Sequence, residues 1–142
     1  MGSLNTGVLM IGVEPREFDH FQRMVKDALH SHDMGWSRIA SPSLSFEQAF
    51  LLALLHCDLD VVYVANQVGR TEREMRRGVT LLAEALKSHP GRPWVALEDE
   101  SLCYLEPILE EVGITVMTGL LLDIVLSLRH DRLAKGGSAR VA

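Results

Sequence analysis

Cysteine is scarce in this chain, with only Cys57 and Cys103 among 142 residues. Each lies inside an apolar segment, so the pair reads as two small buried hydrophobes, and a disulfide framework is excluded. Also missing is any apolar run of the roughly 20 residues that crossing a bilayer requires. The opening residues, MGSLNTG, lack the basic start and apolar stretch of a secretory signal. A soluble cytoplasmic protein without a membrane partner is the expectation. Basic residues are in deficit, 14 against 19 acidic, for a net charge of -5. That balance argues against nucleic acid as a partner, because neutralising phosphates needs concentrated Lys and Arg. The one basic cluster, Arg70 to Arg77, is interleaved with Glu72 and Glu74. Internal repeats and low-complexity blocks are absent.

What remains is an ordinary globular composition, 47% hydrophobic and 23% charged, in a chain long enough for one domain with its own core. Five short apolar runs alternate with helical patterns, which predicts a parallel sheet covered on both faces. The runs are GVLMIGV (Gly7 to Val13), WSRIASP, LDVVYVA (Leu59 to Ala65), PWVAL (Pro93 to Leu97) and ITVMT (Ile114 to Thr118). Pro15 suits the first turn of a helix whose apolar face would be Phe18, Phe21, Val25, Ala28 and Leu29, ending near His30. Ser45 with Gln48, and Thr71 with Glu74, have capping-box spacing and should start the second and third helices. Met75, Val79, Leu82 and Leu86 follow at helical spacing. A fourth helix is expected from Glu106 to Gly113 and a fifth from Leu120 to about Leu133. Residues 1–6 are expected to be disordered, 7–133 to form the domain, and 134–142 to be a flexible tail. Right-handed crossovers then give an α/β, three-layer, doubly wound, flavodoxin-like sheet of strand order 2-1-3-4-5. In such a sheet any site should lie at the carboxyl ends of strands one and three.

The stretch from Gly7 to about Leu133 resembles the receiver domain of bacterial response regulators, in the CheY-like family. The resemblance is carried by GVEPREFDHFQRMVKDAL, SLSFEQAFLLAL, CDLDVVYVA, RPWVALED and EEVGITVMTG. Receivers typically end the first strand in Asp-Asp-Glu-Pro, whose acidic pair holds Mg²⁺. Here Glu14 and Pro15 match, while Gly12 and Val13 replace the pair. The phosphoryl-accepting Asp at the end of the third strand falls on Ala65. The switching Thr or Ser falls on Glu98, and the Lys after strand five on Thr118 or Gly119. Phosphoryl transfer needs a carboxylate nucleophile, a cation and a basic group, and none stands at the matching positions. The resemblance therefore implies a pseudo-receiver of two-component signalling: not an enzyme, and without a cofactor.

Other constellations point to different chemistry. Glu14, Glu98, Asp99 and Glu100 should sit near the carboxyl edge, where they form either a solvated acidic rim or an oxygen site for Mg²⁺ or Ca²⁺ in a metal-dependent enzyme. Glu98 could alternatively imitate a permanently phosphorylated surface. Asn66, Gln67, Gly69, Arg70 and Thr71 form a loop before a helix, either a plain cap or an anion site for a small-molecule sensor. GVEP lacks the spaced glycines of a nucleotide fingerprint. His30, His32 and Asp33 have short metal-ligand spacing but lie at a helix C-terminus, where His complements the dipole. Asp19 and His20 have no matching Ser or Cys nucleophile, and the Asp-x-His-x-x-Gly of cobalamin-binding domains is absent. MTGLLLDIVLSL is more apolar than one buried helix face requires. In receivers the corresponding faces commonly pair two subunits, so Tyr104, Leu105, Leu121, Ile124 and Leu128 are candidate interface residues. The expectation is a non-catalytic module acting through protein contacts, as a homodimer.

Overall fold

The computed structural model describes residues 4–31, 34–38, 45–55 and 59–141. Apolar runs and helical patterns alternate along it: β1 (Leu4–Ile11), α1 (Pro15–Ser31), β2 (Met34–Arg38), α2 (Phe46–Leu55), β3 (Leu59–Val64), α3 (Glu72–Leu86), β4 (Trp94–Leu97), α4 (Glu106–Glu110), β5 (Val116–Thr118) and α5 (Leu121–Val141). A 3-10 helix, Glu100–Leu105, precedes α4. The result is a mixed α/β domain whose parallel sheet is flanked by helices, compatible with a flavodoxin-like fold. β1 pairs with β3, β3 with β4 and β4 with β5, and β2 runs along the other side of β1.

Successive side chains of a strand point to opposite faces, so the β-branched runs feed two cores. Leu9, Ile11, Val62, Val64, Val95 and Leu97 pack with α2, α3 and α4 through Ala49, Met75, Leu82 and Leu109. Val8, Met10, Val61, Tyr63 and Ala96 pack with α1 and α5 through Phe18, Ile124 and Leu128. Each fully buried aliphatic side chain of this kind contributes about 1.5–3 kcal/mol. Both capping boxes form. The Ser45 amide donates to Gln48 Oε1 at 2.9 Å and the Gln48 amide to Ser45 Oγ at 3.2 Å. The matching Thr71 and Glu74 bonds are 2.9 and 3.1 Å.

Several boundaries differ from the sequence reading. β1 begins at Leu4, because Leu4 to Thr6 find backbone partners on β2, and it stops at Ile11, because Gly12 turns the chain with a φ of +79°. β2 starts at Met34, ahead of the expected WSRIASP, whose residues 39–42 lie outside the described residues. The fourth helix is cut to Glu106–Glu110. Gly113, at φ +83°, closes it, and the Ile114 amide reaches back to the Leu109 carbonyl, so β5 cannot begin until Val116. α5 continues to Val141 where a tail was expected at residue 134.

Away from the expected site, β1 and β3 slip register: Gly7 faces Leu59 and Val8 faces Val61, leaving Asp60 between them. The Asp60 carboxylate repairs the ladder, accepting the Gly7 amide at 2.8 Å and pairing with Arg132 of α5. Arg132 Nη2 also donates to the Gly91 carbonyl at 3.1 Å.

Candidate functional site

The carboxyl edge of the sheet is filled by the chain itself. Gly12 takes a backbone conformation that L side chains rarely adopt, and a Cβ there would stand 1.9 Å from the Ala65 carbonyl oxygen. The approach is used: Ala65 N–H donates to the Ile11 carbonyl at 2.9 Å and Gln67 N–H to the Gly12 carbonyl at 2.8 Å. Glu98 N–H donates to Val64 O at 2.9 Å, and Gly119 N–H to Leu97 O at 3.2 Å. β1, β3 and β4 thus each hand their last carbonyl to the segment leaving a neighbouring strand. Val13 and Ala65 are buried, so a methyl group stands at the tip of the central strand.

Gln67, placed by this turn, spans the crevice. Its Oε1 accepts the Glu14 amide at 2.8 Å and its Nε2 donates to Glu98 Oε2 at 2.6 Å. The acidic residues consequently do not converge. The Glu14 carboxylate turns to Arg16 at 3.2 Å, Glu98 is held by Gln67, and Asp99 caps the 3-10 helix through the Ser101 amide at 2.9 Å. Glu100 is exposed. Among the described residues no group of three or more His, Cys, Asp or Glu side chains is placed to hold a metal ion. His32 and Asp33 of the expected HSHD pattern lie outside the described residues.

The loop from Asn66 to Thr71 is likewise closed on itself. Asn66 Oδ1 accepts the Arg70 amide and Asn66 Nδ2 donates to the Arg70 carbonyl, both at 2.8 Å. The Thr71 amide goes to Glu74, and the Arg70 guanidinium lies 5.1 Å from the centre of the Phe46 ring. Three of the loop's amides, those of Gln67, Arg70 and Thr71, are therefore spent within the fold, which removes most of the anion cradle expected there.

Three features were not anticipated from the sequence. The first is the bridge that Gln67 makes from the Glu14 amide to Glu98, where the sequence placed Gln67 only in a ligand loop. The second is a cluster at the far end of the edge, where Thr118 Oγ1 donates to Glu106 Oε1 at 3.5 Å and lies 4.0 Å from Cys103 Sγ. Cys103 is half-buried rather than buried, and its hydrogen bond with Glu106 pushes the thiol pKa up, with burial adding to the shift. Third, Tyr63 sits beneath the acidic edge, and its phenol pKa is raised well above the ordinary value by burial first and then by the charges of Glu98 and Asp99.

The expected interface is mostly core. Leu121, Ile124 and Leu128 are buried because they fall on the face that α5 turns to the sheet, and Leu105 is buried in the core on the opposite face. Tyr104 is half-buried, with the Arg76 guanidinium 4.9 Å from the centre of its ring. Of the three consecutive leucines only Leu120 is strongly exposed. Exposed large hydrophobics elsewhere among the described residues are scattered, while α2 groups three: Leu51, Leu54 and Leu55 are 56%, 57% and 75% exposed.

No protein-family model matches the chain, and no curated protein matches it in sequence. No helix among the described residues is long and apolar enough to cross a membrane.

Proposed function

We propose that the chain is a pseudo-receiver: a non-catalytic, cytoplasmic signalling module on a flavodoxin-like sheet of order 2-1-3-4-5, acting through protein contacts. The strand pairings and the division of helices between two faces support that fold. One observation carries the function. The tip of β3, where a phosphoryl acceptor would stand, is the buried Ala65, and the space above it is crossed by Gln67, which is bonded to Glu14 and Glu98. A phosphoryl group has no nucleophile to join there and no room without displacing the Gln67 bridge. The module therefore acts by presenting a surface. Its contact surface is the exposed leucine face of α2, and the first partner is a second copy of the chain.

Incubation with acetyl phosphate and Mg²⁺, followed by intact mass measurement and peptide mapping, tests this. The expected result is no phosphorylated species. A stable phosphoaspartate at any position would overturn it.

A further inference from the structure

The opposite edge of the sheet, where the strands begin, holds a cavity of about 580 Å³. That is the size of a small-molecule site, which typically spans roughly 300–1,000 Å³. Its wall carries cations from three elements: Lys87 at the end of α3, Arg92 in the loop before β4, and Arg132 of α5. Asp131 is the one acidic residue in the lining. Three of the four charged residues in the lining are thus cationic, in a chain of net charge -5.

The three cations are not equivalent. Lys87 is paired with Glu84 at 2.6 Å, and Arg132 is committed to Asp60 and the Gly91 carbonyl. Among the described residues Arg92 has no such side-chain bond and is the one non-glycine at positive φ, +45°. The cause is the turn His89–Arg92, closed by the Arg92 amide on the His89 carbonyl at 3.1 Å. The position after such a turn is left-handed and ordinarily taken by Gly. An arginine there is disfavoured, and strain of this kind is retained where the side chain has a task. Beside it the half-buried Trp94 and the buried Ile114 supply an apolar wall.

We propose that this cavity binds a small organic oxyanion, a carboxylate or phosphate monoester on an apolar ring. Arg92 takes the headgroup through its planar fork, and Trp94 receives the ring.

Calorimetric titration of the full chain with benzoate, phenyl phosphate and inorganic phosphate tests this. At least one ring-bearing anion should bind saturably in the millimolar range or tighter, and more tightly than inorganic phosphate; which of the two wins identifies the headgroup. Arg92→Gly should weaken that binding by about tenfold or more, while its melting temperature equals or exceeds that of the parent, since glycine accepts the positive φ. Arg92→Asn, which also tolerates the left-handed backbone, should show the same loss, and Arg16→Ala at the other edge should show none. Saturable binding by neither ring-bearing anion would overturn the proposal, as would parent-like affinity in the two Arg92 variants or binding of inorganic phosphate as tight as that of the tighter ring-bearing anion.

Discussion

Gly12 and Ala65 approach so closely that a single methyl group on Gly12 would stand 1.9 Å from the Ala65 carbonyl oxygen. The contact binds the end of β1 to the end of β3, and no flexible side chain is available to give way. Gly12→Ala combines left-handed strain with a collision against backbone, and should destabilise the fold by about 2–5 kcal/mol. Urea unfolding followed by circular dichroism measures this. Gly69→Ala serves as a control: its φ is +77° but nothing lies within 4 Å, so only the strain should appear, about 1–2 kcal/mol.

That pair also shows what the sequence could and could not convey. GVLMI, VVYV and WVAL are apolar at every position, and Met75, Val79, Leu82 and Leu86, spaced by three and four in α3, are all buried, so layers and element order were legible from periodicity alone. That Gly12, Val13 and Ala65 bring no ionisable side chain to the edge was legible too. The hydrogen-bond partners were not. Gln67 joins residues 53 and 31 positions away, and a polar side chain in a loop carries no mark of which partner the fold will bring to it. The leucines of 120–128 misled for a related reason. Composition gives how apolar a segment is, while the helix phase decides that Leu121 and Leu128 turn inward and Leu120 outward.

Asp60 and Arg132 bind three parts of the amino edge together. Asp60→Ala leaves the Gly7 amide without its acceptor inside the β1–β3 slip and should cost about 2–3 kcal/mol. Asp60→Asn keeps an oxygen for that amide and loses only the charge, for about 1 kcal/mol. The Arg132 side chain is 39% exposed, so solvent screens the ion pair. A double-mutant cycle of Asp60→Ala with Arg132→Met should therefore return a coupling below about 1 kcal/mol.

Tyr63 makes stability depend on alkaline pH. Burial and the neighbouring Glu98 and Asp99 hold its phenol protonated in the folded chain well above the pH at which an unfolded tyrosine ionises, about 10. Above that pH the native state binds more protons than the unfolded state, so stability falls as pH rises. The stabilisation is fully present below the unfolded value and is lost on the way to the folded one. Urea midpoints taken from about pH 8 to about pH 11 should decline in the parent and decline less in Tyr63→Phe. Tyr104, whose pKa is raised by burial and then by Glu72, leaves the variant a residual slope. Equal slopes in the two proteins would show that Tyr63 ionises without penalty.

The outward face of α2 should decide how the chain associates. Leu51, Leu54 and Leu55 stand at spacings of three and four, so they share one side of the helix, and none packs into either core. The inward positions Phe46, Ala49 and Ala53 are already satisfied against α3 and the sheet, so repacking cannot hide the leucines without unfolding α2. A second copy offering the same face would cover them in a self-complementary, two-fold contact. Light scattering after size exclusion should give the dimer mass for the parent. Leu51→Glu with Leu54→Glu should give the monomer mass at an unchanged melting temperature in dilute solution, because exposed leucines contribute little to the isolated fold. A parent that is monomeric at all concentrations would remove the dimer. A double variant that remains dimeric would move the contact to another surface.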